Sequence, residues 1–181
     1  MLTLEEFIIA LVRIAGSVPV LRWAFVGAVL AILFDLSDLF LKNLIDLGGV
    51  TNYQTFDKWL DLVYMSAFLL VAMKWNGIIR QLAVSLFIFR MIGFVIFEFT
   101  GNREILQYFP NVFEFWFLAV AGIKCFKADF HFSNKAIGAI LLIVFPLKLF
   151  QEYVLHTGKW LDGFTAVEAV QTMVDWFTSI F

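Results

Sequence analysis

Five apolar stretches, at 20–41, 56–75, 78–99, 109–126 and 137–153, account for more than half of this 181-residue chain. A helix that crosses a bilayer core of about 30 Å needs about 20 mostly apolar residues, and each stretch approaches or meets that length. The turns between them are short, with Asn76-Gly77 and Gly101-Asn102 as the tightest. Short connections force consecutive helices antiparallel. The pattern therefore predicts an all-α, polytopic membrane bundle of five transmembrane helices, folded as a single domain over 1–181. Composition agrees: 62% of residues are hydrophobic and 15% are charged, against about 25% charged in soluble domains.

Both ends read as amphipathic helices. Thr3 with Glu6, and Thr165 with Glu168, have the spacing of a capping box. Phe7, Ile8, Leu11 and Ile14 then form one apolar stripe over 4–17, and Val170, Met173, Phe177 and Ile180 form another over 165–180. Such stripes suit a helix lying in the membrane interface or packed on the bundle. A sixth span is the alternative at the C-terminal end. The first segment lacks the short apolar core and small-residue cleavage site of a signal peptide.

Lys and Arg set orientation. Arg13, Arg22, Lys74, Arg80, Lys124, Lys127 and Lys135 fall on the N-terminal face, and Lys42, Lys58, Arg103 and Lys159 on the other. This bias predicts a cytoplasmic N-terminus in a plasma or inner membrane. A net charge of −2 with no basic run argues against nucleic acid as a partner. Cys125 is the single cysteine, so no intrachain disulfide can form.

The charged residues inside the apolar stretches point to a site, because ionisable groups at membrane depth are costly. Helix rise of about 1.5 Å per residue converts spacing into depth. Arg90 lies ten residues from Arg80, and Glu114 ten from Lys124, which puts both about 15 Å deep. Equal depth suggests an ion pair at a pocket floor. Asp35, Asp61 and Lys148 each lie thirteen residues from a basic residue at the inner end of their span, at about 20 Å. Asp38, Asp57 and Glu152 come about one turn later, and His156 reaches the outer interface. Glu98, beside Thr100 and Gly101, reads as a helix end.

Asp35 with Asp38, Asp57 with Asp61, and Lys148 with Glu152 and His156 each share a helix face. The expectation is an acidic funnel in the outer half of the bilayer. Asp35, Asp38, Asp57 and Asp61 would be its ligands, Lys148, Glu152 and His156 its mouth, and Arg90 with Glu114 its floor. Seven carboxylates against Lys42, Lys58, Arg90 and Lys148 leave an excess of negative charge. Either some are protonated or a cation binds. Oxygen ligands alone favour Mg²⁺, Mn²⁺ or Ca²⁺. His131 and His156 fall at opposite faces and cannot share a haem, and no nucleotide-binding motif is present.

The four aspartates, read as Asp35-Leu-Ser-Asp38 and Asp57-Lys-Trp-Leu-Asp61, resemble in spacing the paired motifs of the CDP-alcohol phosphotransferases, which are small polytopic enzymes. That resemblance implies that Asp35, Asp38 and Asp57 hold divalent metal. It also implies that Asp61 is the base that activates an alcohol. Leu39 and Tyr53 stand where that family has glycines, and Lys42-Asn43 where it has Ala-Arg.

Three functional classes follow. The first is a transporter- or channel-like protein that binds a cation or protons. The second is a metal-dependent lipid enzyme, and the third a structural or accessory membrane subunit. Membrane lipids, a small cation or a polar lipid headgroup are the partners that fit. A transporter this small would need to form a homo-oligomer to enclose a full pathway.

Overall fold

A computed structural model describes residues 3–37, 53–102, 104–153 and 166–179. The described residues are helical with no strand. In chain order they form α1 (Leu4–Ser17), a 3-10 turn (Val18–Leu21), α2 (Ala24–Leu36), α3 (Tyr53–Ala72), α4 (Ile78–Thr100), α5 (Glu104–Tyr108), α6 (Val112–Phe126), α7 (Asn134–Glu152) and α8 (Ala166–Thr178).

Two of these helices, Ile78–Thr100 and Asn134–Glu152, are long and apolar enough to cross a membrane. The other three predicted spans are modified for local reasons. Pro19 sits in a 3-10 turn, so the first span begins as helix only at Ala24. Residues 38–41 of that span lie outside the described residues. Tyr53–Ala72 has the length but carries Asp57, Lys58 and Asp61 in its first turns. Pro110 precedes α6, which starts at Val112 and runs 15 residues.

The N-terminal capping box forms as the sequence requires. Thr3 Oγ1 accepts from the Glu6 amide at 3.1 Å and the Thr3 amide donates to Glu6 Oε2 at 3.0 Å. Of the two orientations open to the helix it starts, the structure shows the one with the stripe outward. Leu4, Phe7, Leu11 and Ile14 point outward, whereas Glu5, Glu6 and Arg13 are buried. So α1 packs on α2 and α3 through its charged face. Its counterpart over 165–180 is helical across Ala166–Thr178, and Thr165 lies outside the described residues. Glu98 is exposed near the end of α4. Gly101 closes that helix at φ +66°, a left-handed conformation that glycine adopts without a side-chain penalty.

The chain from α1 into α2 is a tight antiparallel hairpin. Gly16 lies against Phe34, and Gly27 lies against the backbone of Val20 and Pro19. A Cβ added at Gly27 would stand 2.3 Å from the Val20 nitrogen, and backbone cannot swing aside as a side chain can. Gly27→Ala should therefore destabilise the protein by about 1–3 kcal/mol, the range for overpacking, measured as a lower thermal midpoint in detergent. An unchanged midpoint would mean that the hairpin is looser than described.

Helix α6 is the hub, in contact with α2, α3, α4 and α7. Its Phe117 stacks between Phe68 and Trp75 of the α3 side, at ring separations of 4.3 and 5.1 Å. Phe113, Trp116 and Val120 complete this core and are inaccessible. The outside of the bundle is apolar as well. Only 28% and 17% of the most apolar stretches of α4 and α7 are buried, and Ile88, Ile92, Val95, Leu142 and Ile143 face outward. Arg13, Asp61, Arg90, Glu114, Lys148 and Glu152 are buried. A set of buried charges inside a bundle whose outer face is largely hydrocarbon departs from the usual soluble arrangement, while Arg22, Lys74, Arg80, Lys124, Lys127 and Lys135 stay exposed.

Candidate functional site

Asp57 and Asp61 lie one turn apart on α3 and face Asp35, near the end of α2. One carboxylate oxygen from each lies within 4.8 Å of the other two. The sequence places these three together, and the structure does so. Asp38 and His156, predicted as a fourth ligand and part of the mouth, lie outside the described residues.

The residue that the sequence reading missed is Arg13. Its guanidinium enters the middle of this cluster and ion-pairs with Asp35, with Asp57 at 2.8 Å and with Asp61 at 2.7 Å. Lys58 adds a second counter-charge, 2.7 Å from Asp57 and 3.1 Å from Asp61. The depth reading grouped Arg13 with Arg22 on the far face. The hairpin overturns this. Arg13 lies nine residues before Arg22 and Asp35 thirteen after. The two arms rise about 15 Å and 20 Å from the turn, with the 3-10 segment counted at about 2 Å per residue. A long arginine side chain spans the difference. The signal available in sequence was the pairing of positions about equally distant from the Arg22-Trp23 turn.

Three carboxylates face two cations among the described residues, so the fully ionised cluster carries one net negative charge. It is also partly open: the side chains of Asp35 and Asp57 are 26% and 20% exposed, against 3% for Arg13. Such a set of oxygen donors fits a hard cation in kind. Arg13 and Lys58 hold part of that donor capacity themselves.

A second cluster lies deeper. Glu114 on α6 accepts from Lys148 Nζ at 3.1 Å, from Asn111 Nδ2 at 3.2 Å and from the Tyr64 hydroxyl at 3.3 Å. Lys148 also reaches Gln151 at 2.7 Å and Glu152 at 3.6 Å, and stands 5.2 Å from the Phe115 ring centre. Lys148 and Glu152, predicted at a mouth, are instead buried beside the predicted floor residue. Tyr64 lies one turn beyond Asp61 on α3, so the two clusters share a face of that helix. Asn111 Oδ1 is a buried acceptor with no hydrogen bond among the described residues.

The predicted Arg90–Glu114 ion pair does not form. Arg90 donates instead to the carbonyls of Phe109 at 2.8 Å and Leu106 at 3.4 Å. Gly93, on the same face of α4, lets Phe109 approach so closely that a Cβ there would stand 2.3 Å from its Cβ. That approach presents the 106–109 carbonyls to Arg90. Spacing along a helix does not fix rotation about its axis.

No family model, curated protein or solved structure matches the chain. The site therefore rests on its own geometry.

Proposed function

We propose that this protein is a membrane-embedded helical bundle of transporter- or channel-like type. It takes up a proton or small cation at Asp35, Asp57 and Asp61 in competition with Arg13. The observation that supports this most is the convergence of three carboxylates from two helices, partly open and facing two cations among the described residues, inside a bundle with an apolar exterior. Backbone and charge sequestered from an apolar exterior suit a lipid solvent. Tyr64, Glu114, Lys148 and Glu152 extend the polar region inward. With Arg22, Lys74, Arg80, Lys124, Lys127 and Lys135 near one end of the helices, that end faces the cytoplasm. Because α1 runs back along α2 to the aspartates, this reading turns the N-terminus toward the opposite side, in place of the cytoplasmic N-terminus expected from the charge count alone.

Thermal stability of purified protein in detergent, against alkali and divalent cations from pH 5 to 8, tests this reading. A ligand at 100 times its dissociation constant stabilises by about 2.7 kcal/mol. Removing the internal competitor in Arg13→Gln should enlarge the cation response relative to wild type, and Asp57→Asn should abolish it. No response to any cation or to pH in wild type and Arg13→Gln would sink the proposal.

The second reading is a structural or accessory subunit. The direct contacts of Arg13 with all three aspartates, and of Lys58 with Asp57 and Asp61, favour it. An inert cluster in the same titration is its expected result. Stabilisation by divalent metal only together with a nucleotide-linked lipid would point instead to a lipid enzyme using Asp61 as base.

A further inference from the structure

At the end of the bundle remote from the aspartates, a cavity of about 380 Å³ is lined by Lys74, Lys124 and His131 together with Trp75, Phe130 and Phe132. The three basic side chains come from three separate segments, the end of α3, the end of α6 and the loop before α7. None of them makes an ion pair among the described residues. The cavity also takes in Gly77 and Ile78, the start of the 23-residue α4. Gly77 caps that helix without a side-chain hydrogen bond, so its first-turn amides and the positive end of its dipole remain available to an anion.

A second crevice of about 280 Å³ adjoins the first and shares Trp75 and Lys124 with it. Its other walls are apolar, from Trp23, Phe25 and Val26 of the α2 start and Ala121 of α6. A cationic chamber and an apolar slot thus meet at one tryptophan and one lysine. Free phosphate fits only the chamber. An amphiphile with an anionic head fits both.

We infer that this end of the bundle binds an anionic phospholipid. Its phosphate lies among Lys74, Lys124, His131 and the α4 N-terminus, and an acyl chain lies in the slot between Trp23, Phe25 and Trp75. Trp23, exposed at the edge of the slot, has the amphipathic character of side chains at headgroup level. Basic residues near a membrane surface attract anionic lipid with an energy that corresponds to about fivefold in affinity per residue. The inference rests on the membrane reading above and is independent of the aspartate cluster.

The test is native mass spectrometry of full-length protein extracted from membranes in neutral detergent, titrated with phosphatidylglycerol, phosphatidylcholine or inorganic phosphate. Phosphatidylglycerol should bind well above phosphatidylcholine. Lys74→Gln and Lys124→Gln should each weaken it by about fivefold. Lys135→Gln, which removes a charge outside the cavity at the same end of the bundle, should weaken it by less than either. Val26→Trp, which fills the slot, should weaken phosphatidylglycerol without changing the response to phosphate. Equal binding of the two lipids, an equal loss in Lys135→Gln, or phosphate binding as tightly as phosphatidylglycerol would each overturn the inference. A protein that partitions away from membranes would overturn the membrane reading instead, so the two failures are distinguishable.

Discussion

Arg13→Met should be the most damaging single change in the aspartate cluster. It removes a cation that is 3% exposed and touches three carboxylates, and among the described residues leaves Lys58, on Asp57 and Asp61, as their remaining counter-charge. Breaking a buried ion pair from one side costs about 3–5 kcal/mol. The partial exposure of Asp35 and Asp57 moves the expected loss toward the lower end of that range. Thermal or denaturant unfolding in detergent measures it. The double variant Arg13→Met/Asp61→Asn should be more stable than Arg13→Met, because one carboxylate no longer faces its neighbours uncompensated. Arg13→Lys should fall between wild type and Arg13→Met, since an ammonium lacks the planar fork that serves several carboxylates at once. A full loss in Arg13→Met that Asp61→Asn does not relieve would mean that packing, not charge, fixes Arg13.

Lys148→Met should be nearly as damaging, by about 3–5 kcal/mol, because Glu114 and Glu152 are both buried and lose their shared cation. Glu114 keeps hydrogen bonds from Tyr64 and Asn111, which offset part of that cost. A double-mutant cycle between Lys148→Met and Glu114→Gln should show a coupling of about 0.5–3 kcal/mol. The parallel cycle between Arg90→Met and Glu114→Gln should be additive within about 0.5 kcal/mol. The second cycle decides between the pairing expected from depth and the carbonyl contacts that Arg90 makes. Strong coupling of Arg90 to Glu114 with none to Lys148 would contradict the observed arrangement.

The convergence of Asp35, Asp57 and Asp61 was legible in the sequence because a helix is a ruler. Rise per residue set their common level, and the i,i+4 spacing of Asp57 and Asp61 set their common face. Glu98 as a helix end and the Thr3–Glu6 cap were legible for the same local reason. Arg13 was not. Its position depends on how the chain reverses around Trp23, and a five-span count placed it on the wrong side of that turn. The apolar stripe of α1 was read correctly as a stripe. Its direction was left open between the interface and the bundle, because an amphipathic pattern does not say which face the surroundings take. Where the exterior is apolar, the charged face turns inward.

The sequence by itself determined the all-α class, the positions of the two long apolar helices and the shared helix face of Asp57 and Asp61. These follow from hydropathy, turn residues and a fixed helical rise, all of which are local. Only the tertiary structure decided which charges meet. Arg13 joins the aspartates and Lys148 joins Glu114, while Arg90 turns to backbone carbonyls. Those choices depend on the rotation of each helix about its axis and on the close approaches that Gly27 and Gly93 permit. Both are set by packing between segments far apart in the chain, which no spacing along the sequence encodes.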